Sequence, residues 1–113
     1  MTFRVEQIER FSIVYLNGDV DLSRSPEARK NILSCLQNRH HLLVDMSAVD
    51  YIDSSGVATL VEGYQVSRSQ RLAFALVGVS DAAMNVLKLA RLDHVFPIYT
   101  SLNEALNHRG EAE

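Results

Sequence analysis

One stretch of the chain concentrates side chains able to do chemistry: Val44-Asp45-Met46-Ser47-Ala48-Val49-Asp50-Tyr51-Ile52-Asp53-Ser54-Ser55-Gly56. Its last four residues directly precede Val57, Leu60, Val61 and Tyr64, which follow the i, i+3, i+4, i+7 spacing of an amphipathic helix. At a helix start, unpaired backbone N–H groups and the positive end of the helix dipole accommodate an anion, and Gly56 permits close approach. A phosphate on Ser54 is therefore expected to sit well there. Spacing alone suits Asp53, Ser54 and Ser55 equally well as plain capping residues.

Other chemistries fit the sequence poorly. Asp45 ends an apolar run, as the phosphoacceptor of a phosphorelay receiver domain does. A receiver, however, needs an acidic pair after its first strand and a lysine at the end of its last, and the two lysines here, Lys30 and Lys88, fall on predicted helices. Asp45 reads instead as a loop-capping carboxylate. Ile52-Asp53-Ser54-Ser55-Gly56 lacks the first glycine of the G-x-S-x-G nucleophile elbow, and Asp53 is too close along the chain to be a triad partner. Glycines 18, 56, 63, 78 and 110 are too scattered for a nucleotide loop, so no cofactor is expected. His40 and His41 have no Cys or second His at ligand spacing, and His94 and His108 are isolated, so no metal is expected either. Cys35 falls on the apolar face of a predicted helix without a cationic neighbour, which marks a buried small residue and not a reactive thiolate. The expectation is a protein without catalytic residues.

Composition narrows the class further. A chain of 113 residues with 47% hydrophobic content can fill one core. A net charge of -3 offers no broad basic surface for phosphate backbones or anionic lipid, so direct nucleic-acid binding is not expected. One cysteine makes no internal disulfide. No apolar run approaches the roughly 20 residues of a membrane span, and the start does not resemble an export signal, so a cytoplasmic protein is expected.

The elements that must hold the motif follow from periodicity. Phe3, Val5 and Ile8, then Phe11 to Leu16, predict two neighbouring strands joined around Glu9-Arg10. Ser25-Pro26-Glu27 predicts an N-cap and first turn for a helix carrying Ala28, Ile32, Cys35 and Leu36. Leu42 to Met46 and Leu72 to Val79 read as central strands, with the Val57 helix between them. Ser80-Asp81 caps a third helix with Ala83, Val86, Leu87 and Ala90 inward, and Ser101 with Glu104 forms a capping box for a fourth. Pro97 places the Val95 to Tyr99 strand at a sheet edge. The order β-β-α-β-α-β-α-β-α predicts an α/β fold with a mixed, mostly parallel sheet of about five strands and about four helices. Residues 1–108 form one domain in this reading, and 109–113 a disordered tail.

The chain resembles the STAS domain family, and especially the bacterial anti-sigma factor antagonists. The resemblance rests on Asp45-Met46-Ser47, on Tyr51-Ile52-Asp53-Ser54-Ser55-Gly56, and on Gly18-Asp19-Val20-Asp21, where Asp19 stands at a position usually held by Glu. Leu76-Val77-Gly78-Val79-Ser80 and the Leu89 to Phe96 segment resemble the family's later strand and helix. It implies that the unmodified protein binds an anti-sigma serine kinase and so releases a sigma factor. It implies that the kinase phosphorylates Ser54 to switch binding off, and that a separate metal-dependent phosphatase restores the active form. The same fold also implies an alternative, a small accessory subunit of a lipid-transporting ABC system. The expected contact surface combines the Asp19 and Asp21 loop with Asp53, Ser55, Gly56, Ala58, Thr59, Glu62 and Gly63, of which Ser55, Ala58, Thr59, Glu62 and Gly63 are taken as the exposed face of the motif helix.

Overall fold

The computed structural model describes the backbone of residues 3–112 and the side chains of residues 3–107. The opening alternation becomes an antiparallel pair, β1 (Arg4–Ile8) and β2 (Phe11–Val20), in which Ile8 faces Phe11 across a two-residue turn. Glu9 takes the left-handed backbone of that turn at φ 55°, a place where Asn or Gly is the usual sequence signal. There follow α1 (Ser25–Gln37), β3 (His41–Ile52), α2 (Ser54–Ser69), β4 (Phe74–Val77), α3 (Asp81–Leu89), β5 (Ile98–Tyr99) and α4 (Leu102–Ala112). The sheet order is β1-β2-β3-β4-β5, and every pair from β2 onward is parallel. The expected α/β class, strand number and helix number all hold.

Strand alternation splits the core into two layers. Val14 and Leu16 of β2, Leu42, Val44 and Met46 of β3, and Leu76 of β4 pack with Ile32, Leu36, Leu60 and Leu87 of the first three helices. Phe11, Ile13, Leu43, Ala75 and Val77 point the other way and pack with Ala105 of α4. The short β5 lies at the edge, where Pro97 costs no ladder bond. Cys35 is buried with its neighbours, and burial raises its thiol pKa.

Three expectations need correction. β3 runs on through Ser47–Ile52, where a loop was expected, because β3 bulges twice: its Asp45 to Tyr51 faces the shorter stretch Tyr15 to Asp19 of β2. Bulges break strict alternation, which is why the pattern there does not read as a strand. Ser25 is the first residue of α1 and not its cap; Arg24 holds the cap position without a side-chain bond. Ala90 lies just beyond α3 and is exposed, since the helix ends at Leu89. α4 runs to Ala112, and Glu113 lies outside the described residues.

Candidate functional site

The same local device occurs three times at or beside the motif. In Asp-x-Ser, one carboxylate oxygen accepts both the backbone N–H and the hydroxyl of the serine two residues on. Asp45 holds Ser47 at 3.0 and 2.7 Å, Asp53 holds Ser55 at 2.9 and 2.6 Å, and Asp21 holds Ser23 at 3.1 and 2.7 Å. Asp45 is therefore the capping carboxylate the sequence suggested, placed at a bulge within a strand. At Asp53 the device also starts a helix, because the same oxygen accepts Gly56 N–H at 3.1 Å.

The Asp53 cap changes what the helix start can do. The N–H groups of Ser55 and Gly56 go to the Asp53 side chain and that of Val57 to the Asp53 carbonyl. Three of the donors expected to be free for an anion are thus occupied, and a phosphate on Ser54 would stand as an added charge beside Asp53. Ser54 itself is exposed, and its hydroxyl makes none of the bonds that tie Asp53 and Ser55.

The β2–α1 loop is brought against this start by the sheet. Val20 pairs with Ile52 and Asp19 with Tyr51, and Leu22 N–H donates to Asp53 Oδ2 at 3.1 Å. Ser25 Oγ donates to Ser55 Oγ at 3.1 Å, joining the first turns of α1 and α2. Arg24 braces the loop from below: its guanidinium donates to the carbonyls of Asn17 and Asp19 at 2.7 and 3.1 Å and lies over the Phe3 ring. Gly18 sits at φ 64°, a left-handed backbone that calls for glycine, and a Cβ there would lie 2.9 Å from Arg24 Nη1, the far end of a flexible side chain. Asp19, Asp21, Glu27 and Asp50 line an open depression of about 730 Å³ beside Arg24.

Two carboxyls of this surface are held below their ordinary range. The hydrogen bond from Ser55, joined by the N–H groups of Gly56 and Leu22, holds the Asp53 carboxyl below its ordinary range. Ser23 does the same for Asp21.

The expected contact surface is brought together only in part. Asp19, Asp21, Asp53, Ser55 and Ala58 remain at least partly exposed around Ser54. Thr59 and Gly63 are buried, and the expectation that they face solvent is corrected; Gly56 is buried as well. α2 is covered on two sides, by the sheet and by α1, so its small residues serve helix packing. A Cβ on Gly63 would meet Ile32 Cγ2 at 2.8 Å, and one on Gly56 would meet the Val20 carbonyl at 2.6 Å. Glu62 is half-buried and engaged by Arg29 of α1 in a two-pronged ion pair at 2.7 and 2.9 Å. Two apolar side chains that sequence reasoning passed over stand exposed at this end: Leu22 at 74% and Tyr51 at 50%. Leu22 is the middle residue of Asp21-Leu22-Ser23, as Ser54 is of Asp53-Ser54-Ser55, and that shared spacing was the available signal.

His40, His41 and His94 have protein neighbours, and the His108 side chain lies outside the described residues. His40 bonds Ser12 and Gln7 at 2.8 and 2.9 Å, and His41 Nδ1 accepts Ala73 N–H at 3.0 Å. His94 lies 3.5 Å from Asp93. Among the described residues no three His, Cys, Asp or Glu side chains gather where they could hold a metal ion, and no helix is long and apolar enough to cross a membrane.

Comparison with known proteins places this geometry. The chain is 25% identical over 96 residues to an anti-sigma F factor antagonist of Paenibacillus polymyxa, covering 83% of this chain and 82% of that one. An anti-sigma factor antagonist of Mycobacterium paratuberculosis has the same fold at a TM-score of 0.81 and 28% identity, over 94% of this chain and 91% of the other. The anti-sigma factor antagonist SpoIIAA in its unphosphorylated form superposes at a TM-score of 0.81 and 17% identity, over 99% and 98% of the two chains. The phosphorylated form of the Bacillus protein superposes at 0.75 and 17%, over 95% and 98%. The family model for the STAS domain matches residues 2–105, and this chain belongs to the STAS domain family.

Proposed function

We propose that this protein is an anti-sigma factor antagonist whose binding to an anti-sigma serine kinase is switched off by phosphorylation of Ser54. The observation that carries this reading is the exposure of Ser54 between two residues, Asp53 and Ser55, that are both locked into the helix cap. A kinase can reach the hydroxyl without disturbing the fold. Transfer of a phosphoryl group from ATP to Ser54 Oγ releases ADP and the hydroxyl proton, and leaves about -1.5 to -2 charges at neutral pH. That charge would join Asp53, Asp21, Asp19 and Asp50 on one surface. A partner selected for the neutral hydroxyl is repelled, while the fold, which does not use that hydroxyl, is unchanged. The curated relatives named as anti-sigma factor antagonists support this reading, as does the existence of SpoIIAA in both phosphorylated and unphosphorylated form.

In this reading the protein is a cytoplasmic regulator and not an enzyme. Its partner surface is the Asp19 to Leu22 loop, Tyr51, and the exposed first turns of α2 with Ser55 and Ala58. Reversal belongs to a separate metal-dependent phosphatase, so no metal is needed here. Mass spectrometry of the protein isolated from its native cells tests the proposal: phosphate on Ser54 and a co-purifying serine-kinase-like protein are expected. Recovery of an ATPase–permease complex, with Ser54 unmodified under all growth conditions, would overturn it.

A further inference from the structure

The end of the molecule opposite Ser54 carries a row of cations that the net charge conceals. In a parallel sheet, every connection entering a strand lies at the same edge. Arg10 enters β2, Arg39 enters β3, Arg71 enters β4, and Arg91 begins the connection to β5. All four are exposed, and none makes an ion pair among the described residues. Arg68 and Lys88, in the last turns of α2 and α3, add two more exposed cations at this end. The described acids there are Glu9 and Asp93, and Asp93 is paired with His94.

Three of the four arginines occupy backbone that disfavours them. Arg39, Arg71 and Arg91 follow the ends of α1, α2 and α3 at φ 64°, 61° and 60°, the position where glycine most often ends a helix. A cation near a helix C-terminus has some favourable interaction with the dipole, but a last-turn residue with ordinary φ provides that without the left-handed strain. The same end exposes aliphatic side chains, Leu89 at 86% and Val95 at 42%.

We propose that this edge docks onto an anionic phospholipid surface, with the arginines against the headgroup phosphates and Leu89 and Val95 in the interfacial layer. Charge complementarity selects the anion, because guanidinium pairs with phosphate in a two-pronged geometry. The exposed side chains among the cations select the bilayer: they are aliphatic, which suits insertion at the acyl boundary and not stacking on nucleic-acid bases. Since the edge is remote from Ser54, lipid and kinase partner could be bound together.

Co-sedimentation with vesicles of equal parts phosphatidylglycerol and phosphatidylcholine, against vesicles of phosphatidylcholine alone, tests the proposal. Wild type should partition to the anionic vesicles at low salt and be released by high salt. The triple variant Arg39→Gly, Arg71→Gly, Arg91→Gly should fold at least as well, since glycine is favoured at each position, and should lose partitioning by about tenfold or more. Leu89→Ser should weaken binding to the same vesicles. Equal partitioning of wild type to both vesicles, or an unchanged triple variant with an unchanged thermal midpoint, would overturn the proposal. So would retention of wild type by a single-stranded oligonucleotide without any partitioning to vesicles.

Discussion

Leu22 N–H donates to Asp53 Oδ2 at 3.1 Å while the other oxygen of that carboxylate caps α2, so one side chain fixes two elements at once. The β2–α1 loop is thereby held in register with Ser54. Replacing Asp53 with Ala should release both: the thermal midpoint falls, and the Leu22 amide exchanges with solvent faster than in wild type. Hydrogen exchange read residue by residue checks this. Undiminished protection of Leu22 would mean that the loop is held by the sheet alone.

The same carboxylates predict a response to acid. Because the pKa values of Asp53 and Asp21 are lower in the folded protein than in the unfolded chain, the unfolded state binds more protons in the window between the two. Their stabilisation is present above the ordinary carboxylate range near pH 4 and is lost as pH falls through the lower folded values. Denaturant titrations from pH 6 to pH 2 should show stability falling below about pH 4, with Asp53→Asn reducing the slope. At the other extreme Tyr15, pushed up to about 12 by burial and by its 2.6 Å bond to Glu6, should ionise last in an ultraviolet titration. Tyr15→Phe should remove that late phase.

Two neighbours in the motif should differ sharply in their tolerance. Ser54 is exposed and is not the cap, so Ser54→Ala should change stability by no more than about 0.5 kcal/mol. Gly56→Ala would press a methyl group into Ile52 and the Val20 carbonyl, a backbone atom that cannot step aside, at a cost of about 1 to 3 kcal/mol. Chemical denaturation of the two variants distinguishes them. Comparable losses would contradict the assignment of Asp53 as the sole side-chain cap.

The fold was legible because its signals are local: Pro26 in the first turn of α1, Ser80 at α3, and the Ser101–Glu104 pair at α4 all act within one helical turn. Even there the details shift, since Glu104 reaches back to Thr100 N–H at 2.7 Å and not to Ser101. The Asp53-Ser54-Ser55-Gly56 start was legible for the same reason. What the sequence concealed depends on distant partners. A period of 3.6 marks the side of α2 that faces the sheet, but α1 covers a second side, and small residues such as Thr59 and Gly63 read identically whether they face solvent or another helix. The cation row was hidden because Arg10, Arg39, Arg71 and Arg91 are far apart along the chain and meet only through the parallel sheet.

The central claim is that the charge state of Ser54 decides partner binding, and isothermal titration against the purified anti-sigma kinase tests it most directly. Wild type and Ser54→Ala should bind with the same affinity. Enzymatically phosphorylated protein and Ser54→Asp should bind at least about tenfold more weakly, or about 1.4 kcal/mol, with unchanged circular dichroism. Equal affinity of the phosphorylated and unmodified forms would contradict the account.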